Sequence, residues 1–446
     1  MDNGNNVPPG PRGKFFTGNL AVFSNNPLDF LLMCSREYGD VVRIAKFTYL
    51  VNHPELIEQV FHDKNGLFEK VVPGVERKNH SAFPDAVMNS SGADWQIKRR
   101  KLQPAFHKTL IRENIAQTAS IATRFLHAWR RNPSVRDIRQ EMAQLSMEVG
   151  SRFLFGMAVN NDEMRQIAHM VEVVMALTRN QIRFPLFIPT RNNLRLRQAR
   201  RDLDQVMSRI IERYRCTITS QTCLLGMLLE EDESGNSAWI RDELATMIMS
   251  GLEPMADALT WTCYLLALHP EVSQKLFDEA EAVIGGQGGI SADNILTLRY
   301  TEAAVKEALR LYPPAWMTGR TVVRDCTFGG YQASAGVTLT VSQWVTHRDP
   351  RYFARPDEYC PERWLTDNFA ATLPKYAYFP FGGGARKCIG NYLTMTQMIT
   401  IVASIVHGFD IRLTSDTTVQ PYPALVLRPL GVRMSVAPRM SSVKRS

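Results

Sequence analysis

Apolar residues recur at helical spacing along most of the 446-residue chain. This periodicity predicts helices over the ranges 28–38, 54–62, 161–178, 192–216, 240–268 and 301–312, with two more inside 108–158. Strand-like patterns are shorter, and they cover 41–45, 49–51, 319–325 and 337–344. Residues 1–20 are predicted to form an irregular arm. The pattern therefore predicts a mainly α protein, one domain over 1–446, with a small N-terminal β-rich region.

Composition narrows the class of protein. The net charge is +8, but no basic helix carries interleaved stacking aromatics, so no nucleic-acid partner is expected. The sequence has no apolar run long enough to span a bilayer and no basic-then-apolar start, so no stable membrane anchor is expected. The seven cysteines are scattered without a CxxC pair. This favours a reducing, cytoplasmic location and argues against a disulfide scaffold or a zinc site.

One cysteine, Cys388, lies between a glycine-rich turn and an amphipathic helical pattern near the C-terminal end. A sulfur at a helix N-terminus is favoured as the thiolate. The glycines allow the backbone to approach a large flat group, and Arg386 offers a permanent cation for an acidic group. Haem has the flat macrocycle, the propionates and the iron that these features suit. The alternatives are a buried structural cysteine or a phosphate loop, and the latter would need Gly-Lys-Ser/Thr after its glycines.

The stretch 381–390 resembles the haem-binding signature of the cytochrome P450 family, in its soluble bacterial form. The matching positions are Phe381, Gly384, Arg386, Cys388 and Gly390. The resemblance implies a P450-like fold and haem b (iron protoporphyrin IX) with Cys388 as its metal ligand. It further implies that Phe381, Gly382 and Gly390 surround the cofactor. Members of this family use O2 and take electrons from a partner, here expected to be a ferredoxin- or flavodoxin-type protein, and a monomer is expected.

Three more residues match positions that hold haem propionates in the family. Trp95 and Arg99 are four apart and share a helix face. The alternative for this pair is an ordinary surface helix with a cation stacked on an aromatic ring. Arg320 stands five before Asp325, as the family's second propionate-binding arginine does, and Arg324 is its competitor.

A second pair of motifs implies a structural role. Glu307 and Arg310 are three apart on one helix, and Arg363 follows in a Pro-Glu-Arg-Trp segment. In the family such residues bond one another and lock the loop that carries the cysteine. His347 is interpreted as a structural histidine.

The oxygen-activation segment departs from the family pattern. Ser250-Gly251-Leu252-Glu253-Pro254 keeps the glycine and the acid, but Pro254 stands where the family has threonine. Because proline lacks an N–H, a kink is expected and the Ser250 carbonyl loses its helical partner. Ser250, Gly251, Glu253 and Pro254 are the candidate catalytic residues, with Glu253 as a proton relay. Peroxide-driven chemistry on fatty acids is disfavoured because Glu253 would repel a carboxylate. A packing variation with ordinary activity stays as an alternative.

The resemblance places substrate against the loop 76–91, the lid 170–195, Met249–Met255, Ala315–Thr318 and the hairpin through 422–429. The candidate lining residues are Phe83, Met88, Met249, Leu252, Met255, Trp316 and Met317. Such a bulky apolar lining suits a small lipophilic metabolite, such as a terpenoid or polyketide. The expected reaction is insertion of one oxygen atom from O2. The alternatives are atypical haem-thiolate chemistry (coupling, rearrangement or desaturation) and a haem protein without turnover.

Overall fold

The structure is a computed structural model that describes residues 6–14, 18–70, 83–178, 187–217, 223–231, 238–285, 289–366, 368–415 and 417–439. Parts of the expected substrate loop (76–82) and of the connector in the expected lid (184–186) lie outside the described residues. The chain divides into two compact units. The first comprises Met1–Glu76, Leu309–Cys360 and Thr366–Cys388, and the second comprises Arg77–Ala308, Pro361–Leu365 and Ile389–Ser446. A single domain over 1–446 stays a prediction.

The described residues are mostly helical, as predicted. The helices are α1 (Leu20–Asn25), α2 (Pro27–Tyr38), α3 (Pro54–Phe61), α4 (Gly92–Leu102), α5 (Lys108–Arg131), α6 (Ile138–Phe155), α7 (Asn161–Thr178), α8 (Arg191–Thr217), α9 (Leu224–Glu230), α10 (Ala238–Met247), α11 (Glu253–Leu268), α12 (Pro270–Ala280), α13 (Arg299–Leu311), α14 (Gln343–Thr346), α15 (Phe369–Thr372) and α16 (Asn391–Gly408). The strands are β1 (Val41–Ala45), β2 (Thr48–Val51), β3 (Phe68–Lys70), β4 (Val135–Asp137), β5 (Thr318–Val322), β6 (Cys326–Phe328), β7 (Tyr331–Ala333), β8 (Thr338–Val341), β9 (Phe409–Leu413), β10 (Gln420–Pro423), β11 (Leu427–Leu430) and β12 (Arg433–Pro438).

The long helix predicted over 240–268 is interrupted. A π-helical turn, Ile248–Leu252, separates α10 from α11, and Pro254 occupies the first turn of α11. Proline is tolerated in a first turn because the N–H that it lacks is not needed there. The widened turn takes the place of the expected kink, and such turns are frequent at functional sites.

The first unit is built on a five-stranded sheet in the order β1-β2-β8-β5-β3. The pair β2–β8 is parallel, and the remaining neighbours are antiparallel. The sheet therefore joins the N-terminal strands to strands from 318–341, so the β-rich region is not confined to the N-terminal part of the sequence. Trp344, which was included in the predicted strand, lies in α14 instead.

The second unit is helical, with two small sheets. Its sheet β4-β12-β9 is antiparallel, and β10 and β11 form the hairpin expected at the end of the chain. The π-helical turn before α11 packs on α6 at Gly150, where a Cβ atom would lie 2.1 Å from Cδ2 of Leu252. The indole N–H of Trp261 on α11 donates to the carbonyl of Leu427 on β11 at 3.0 Å. These contacts hold the π-helical turn against α6 and the middle of α11 against the hairpin.

Two buried charged residues of α13 hold segments that follow this helix in the sequence. In the second unit, Glu307 is fully buried and accepts hydrogen bonds from Nε of Arg363 at 3.0 Å and from the indole of Trp364 at 2.8 Å. In the first unit, Arg310 is also fully buried. Its guanidinium donates to the carbonyls of His347, Pro356 and Glu358 at 2.8, 2.5 and 2.9 Å. Both residues thus act as cross-links between distant segments.

The glycine-rich loop of the first unit rests on α3. A Cβ atom at Gly384 would lie 2.0 Å from the carbonyl oxygen of Phe61, and one at Gly383 would lie 2.3 Å from the ring of Tyr376. The Tyr376 hydroxyl accepts the Gly384 N–H at 3.3 Å and pairs with Nε2 of His62 at 2.6 Å. Glycine is required here because the loop backbone lies directly on the helix end.

We expect the Glu307→Ala substitution to lower the free energy of unfolding by about 3–5 kcal/mol, because it leaves the buried Arg363 without this carboxylate. Denaturant unfolding measures the loss. The matched control is Glu302→Ala on the same helix. Its partner Lys306 is 2.7 Å away and both side chains are more than a third exposed, so a loss below about 1 kcal/mol is expected. Equal losses would contradict the role assigned to Glu307.

We expect Gly384→Ala to lower the melting temperature more than Gly382→Ala. Both glycines have positive φ angles, +65° and +68°, so alanine is strained at either position. Only at Gly384 does the new methyl group meet a backbone atom, since nothing lies within 4 Å at Gly382. The difference between the two variants, measured by thermal unfolding, isolates the steric contribution of Phe61. Identical melting temperatures would show that the loop can move off α3 without cost.

Candidate functional site

Cys388 lies at the end of the glycine-rich loop with its side chain exposed. Its backbone N–H donates to the carbonyl of Phe381 at 3.0 Å, and Gly382 donates to Phe379 at 2.9 Å. A 3₁₀ turn, Gly384–Arg386, lies between them. Helix α16 begins at Asn391, three residues after the cysteine in sequence, and Gly390 caps its N-terminus. The exposure of the thiol excludes the alternative of a buried structural cysteine.

Three cations of the first unit lie close together beside this loop. Lys70 on β3 pairs in register with Arg320 on β5. Burial lowers the pKa of Lys70, and together with the charges of Arg386 and Arg320 it brings the value to about 8. The pKa of Arg320 is itself lowered by burial. A cluster of buried cations is stabilised by an anion, so its chemistry fits a carboxylate-bearing group.

Arg320 is the arginine of this cluster, and Arg324 is not. The Arg320 side chain is 7% exposed, and its guanidinium lies over the Phe61 ring at 5.4 Å. Arg324 is exposed and donates to the carbonyl of Asn65. Lys70 was missed by the sequence reasoning, because only the β3–β5 register brings it beside Arg320.

Trp95 and Arg99 lie one turn apart on α4 in the second unit, and both side chains are half-buried. Lys98 on the same helix donates to Asp94 at 2.9 Å and to the Ser90 hydroxyl at 3.0 Å. Trp95 and Arg99 share a helix face, as expected from their spacing. Their contact with haem stays a prediction.

His347 supports the loop from the first unit. It is fully buried, and its Nε2 accepts the N–H of Phe379 at 2.9 Å. Burial holds its pKa well below the usual value for histidine, and the nearby Arg310 lowers it further. A neutral, accepting imidazole agrees with the structural role expected for this residue.

The residues in and next to the π-helical turn leave one helix face uncovered, which is the open stripe. Ser250 and Gly251 on this face are exposed and Pro254 is half-buried, and Met247 lies on the same face one turn earlier. The Ser250 hydroxyl donates to the Thr246 carbonyl at 2.6 Å, so its hydrogen is used within the helix. Met247 was not singled out from the sequence, although its spacing from Gly251 and Pro254 is helical.

The predicted lining residues of this segment do not lie on the open stripe. Met249, Leu252 and Met255 are buried, at 9%, 9% and 2% exposure. Leu252 lies against Gly150 of α6, and its contact with substrate stays a prediction. Because Met249 and Met255 are buried off the open stripe, the structure does not place them with Ser250 and Gly251.

The remaining lining candidates divide between the two units. In the second unit Phe83 is buried and Met88 is half-buried. In the first unit Trp316 is buried and Met317 is half-buried, and the Trp316 carbonyl accepts the Ser342 hydroxyl at 2.9 Å. Their contact with substrate stays a prediction.

Two buried acids of α10 hold the segment that carries Phe83 and Met88. Asp242 accepts the N–H of Asp85 at 3.1 Å, and Glu243 accepts that of Val87 at 2.7 Å. Burial raises the pKa of Glu243 to about 7. Arg200 of α8 pairs with Asp242 at 3.0 Å and lies over the Phe83 ring at 5.8 Å. The expected substrate loop is thereby tied to α10 and α8.

Glu253 is part of a charged network in the second unit. Its Oε2 accepts from Nη2 of Arg139 at 2.6 Å and from Nη2 of Arg428 at 2.8 Å. Nε of Arg139 also donates to Oδ1 of Asp257 at 3.0 Å. Burial raises the pKa of Asp257 to about 7, with Arg139 opposing the shift and Glu253 adding to it. The pKa of Arg139 is raised, because the two acids outweigh the effect of its burial.

Sequence reasoning found Glu253 but missed its partners. Asp257 could have been found, since it lies four residues later on the same face of the helix. Arg139 and Arg428 are 114 and 175 residues away in sequence and carry no local signal.

Within the described ranges, no three or more His, Cys, Asp or Glu side chains are grouped to hold a metal ion by themselves. A single thiolate, a glycine cradle and clustered cations fit haem instead, which needs one axial ligand and counter-charges for its propionates. None of the described helices is both long and apolar enough to cross a membrane.

Comparisons with known proteins agree with these features. The cytochrome P450 family model matches residues 8–436. Cyclooctatin synthase of Streptomyces melanosporofaciens is 31% identical, over 96% of this chain and 95% of its own. Pentalenene oxygenase of Streptomyces avermitilis is 29% identical, over 95% of each chain.

A solved structure, retinoic acid-bound cyanobacterial CYP120A1, superposes with a TM-score of 0.85 at 21% identity, and it covers 98% of this chain and 100% of its own. This likeness shows the fold. The chain therefore belongs to the cytochrome P450 family of haem-thiolate enzymes, and it is an oxidoreductase of the monooxygenase type.

Proposed function

We propose that this enzyme inserts one oxygen atom from O2 into a lipophilic secondary metabolite of the terpenoid or polyketide type. The observation that carries the proposal is the exposed thiol of Cys388, at the end of a glycine loop that lies beside a cluster of buried cations. Electrons would come from a separate ferredoxin- or flavodoxin-type protein. The cytoplasmic location and the monomeric state stay predictions.

Haem b would be held by the cysteine, the clustered cations and the tryptophan–arginine pair of α4. Cys388 would be the iron ligand, and Lys70, Arg320 and Arg386 would neutralise propionate charge. Trp95 and Arg99 would add an indole N–H and a guanidinium. Gly382 and Gly390, which carry no side chain, would leave room for the macrocycle, and Phe381 would shield the sulfur. When bound, a haem with an axial thiolate supplies electron density that favours O–O cleavage.

The substrate class rests on the relatives and on the apolar side chains. Two relatives are named for cyclooctatin and for pentalenene, and the structural neighbour holds retinoic acid. The lining candidates are Phe83, Met88, Met249, Leu252, Met255, Trp316 and Met317, and Met247 is added to them. Large apolar side chains favour a hydrocarbon skeleton over a sugar or a nucleotide.

A second candidate is an atypical haem-thiolate reaction, such as coupling, rearrangement or desaturation. Two observations favour it. Pro254 offers no hydroxyl at the position of the family's threonine, and the Ser250 hydroxyl is used by the Thr246 carbonyl. The usual alcohol for proton delivery is therefore missing from the open stripe of this helix.

We expect Cys388→Ser to abolish the carbon monoxide difference band typical of thiolate-ligated haem, because serine cannot supply the thiolate. Absorption spectroscopy of the reduced, carbon monoxide-treated protein measures the band. Cys216→Ser is the matched control, since Cys216 is also exposed but lies on α8. Its band should match that of the unaltered protein. A thiolate band that survives in Cys388→Ser would assign the ligand to another cysteine.

We expect cyclic terpenoids to give a saturable shift of the main absorption band of the ferric protein, because an apolar substrate displaces water from the iron. A ligand found in this way is then turned over with ¹⁸O2 and a redox partner. Incorporation of one labelled atom into the product supports oxygen insertion. A product without label supports the second candidate, and a protein that binds ligand without consuming electrons would contradict both.

A further inference from the structure

The network around Glu253 contains two acids with different surroundings. Oε2 of Glu253 accepts hydrogen bonds from two guanidinium groups, those of Arg139 and Arg428. Charge-assisted bonds of this kind are stronger than hydrogen bonds between neutral groups. The Glu253 side chain is also 16% exposed, so solvent reaches it.

Asp257, one turn further along α11, is fully buried. Oδ1 accepts from Nε of Arg139 at 3.0 Å, whereas Oδ2 is buried and has no hydrogen bond within the described part of the chain. A bare carboxylate oxygen in such a place costs more free energy than a protonated carboxyl group does, because burial penalises charge most strongly. The raised pKa of this group agrees with that arrangement.

The charged groups that surround Asp257 come from three elements. Arg139 lies at the start of α6, Arg428 lies on β11, and Glu253 belongs to α11 itself. With both acids ionised the four groups carry no net charge, and protonation of Asp257 leaves a charge of +1. Arg139 pairs with both acids, so a change of charge on Asp257 affects Glu253 through this shared guanidinium.

We propose that Asp257 is a proton reservoir for the oxygen-activation segment. It would be a carboxylic acid in the resting enzyme and would act through Arg139 and Glu253 rather than on the reacting atoms. It is therefore a positioning residue and not a catalytic one. The catalytic part of this proposal rests on the proposed function.

The proton balance of the reaction shows why a reservoir is needed. Substrate R–H, O2, two electrons from the redox partner and two protons give R–OH and water. The C–H and O–O bonds break, and a C–O bond and the O–H bonds of the products form. Pro254 and the occupied Ser250 hydroxyl supply no proton on the open stripe. Asp257 would release its proton to the Glu253 carboxylate during turnover, and it would regain one from solvent by way of the same partly exposed group.

Infrared difference spectroscopy across pH tests the resting state without turnover. A protonated carboxyl group absorbs in a region where carboxylates do not. We expect a band in the unaltered holoenzyme that disappears as the pH rises through about 7, shifts when aspartate is ¹³C-labelled and is absent in Asp257→Asn. Glu243→Gln is the matched control, because it removes the other buried acid with a pKa near 7 and should leave the aspartate band. The absence of a label-sensitive band in the unaltered protein would overturn the proposal, whether or not the Asp257→Asn variant folds.

Coupling, the amount of product formed per pair of electrons consumed, tests the role in turnover. In the unaltered enzyme coupling should fall as the pH rises through about 7, since the reservoir empties. Asp257→Asn should lower coupling about tenfold or more at low pH and flatten the profile, and Asp257→Glu should restore part of it. Asp278→Asn, on the exposed side of α12, should keep the original profile. An unchanged profile in Asp257→Asn would overturn the proposal.

If the unaltered enzyme forms no product, the proposed function has failed, and the infrared band still decides the protonation state of Asp257.

Discussion

The close contact between the glycine loop and the end of α3 is the constraint on which the cysteine depends. At Gly384 the backbone lies so near the Phe61 carbonyl that a single methyl group would not fit. The Tyr376 hydroxyl and the buried His347 then hold the same stretch by its N–H groups. Cys388 is presented at the surface of its unit because the loop below it cannot shift.

Buried charge is the second organising feature, and it is used in two ways. Glu307 and Arg310 are fully buried, and their hydrogen bonds fix distant segments. Their function is structural, since breaking a buried pair is far more costly than the pair is stabilising. Lys70, Arg320 and Arg386 are different, because burial and the like charges nearby lower the pKa of Lys70. A cluster of cations of this kind favours the binding of an anionic ligand.

The segment Ser250–Pro254 combines an irregular helical turn with a proline. Proline has no hydroxyl and no backbone N–H, and a π-helical turn precedes it. Behind this turn, Arg139, Glu253, Asp257 and Arg428 form a network that joins α6, α11 and β11. The apolar Leu252, by contrast, packs against Gly150 of α6.

The sequence by itself determined the helices, the hairpin and the family, because these depend on local periodicity and on fixed spacings such as Phe381 to Gly390. It also identified Glu253, Pro254 and the Glu307–Arg363 pair as residues of interest. Only the tertiary structure decided which face of 247–255 is open, and so brought Met247 to that face. Lys70 entered the cation cluster through the register of β3 with β5, and Arg139 and Arg428 reached Glu253 from more than a hundred residues away. Such long-range contacts have no periodic signal in the chain, since they depend on how whole elements pack.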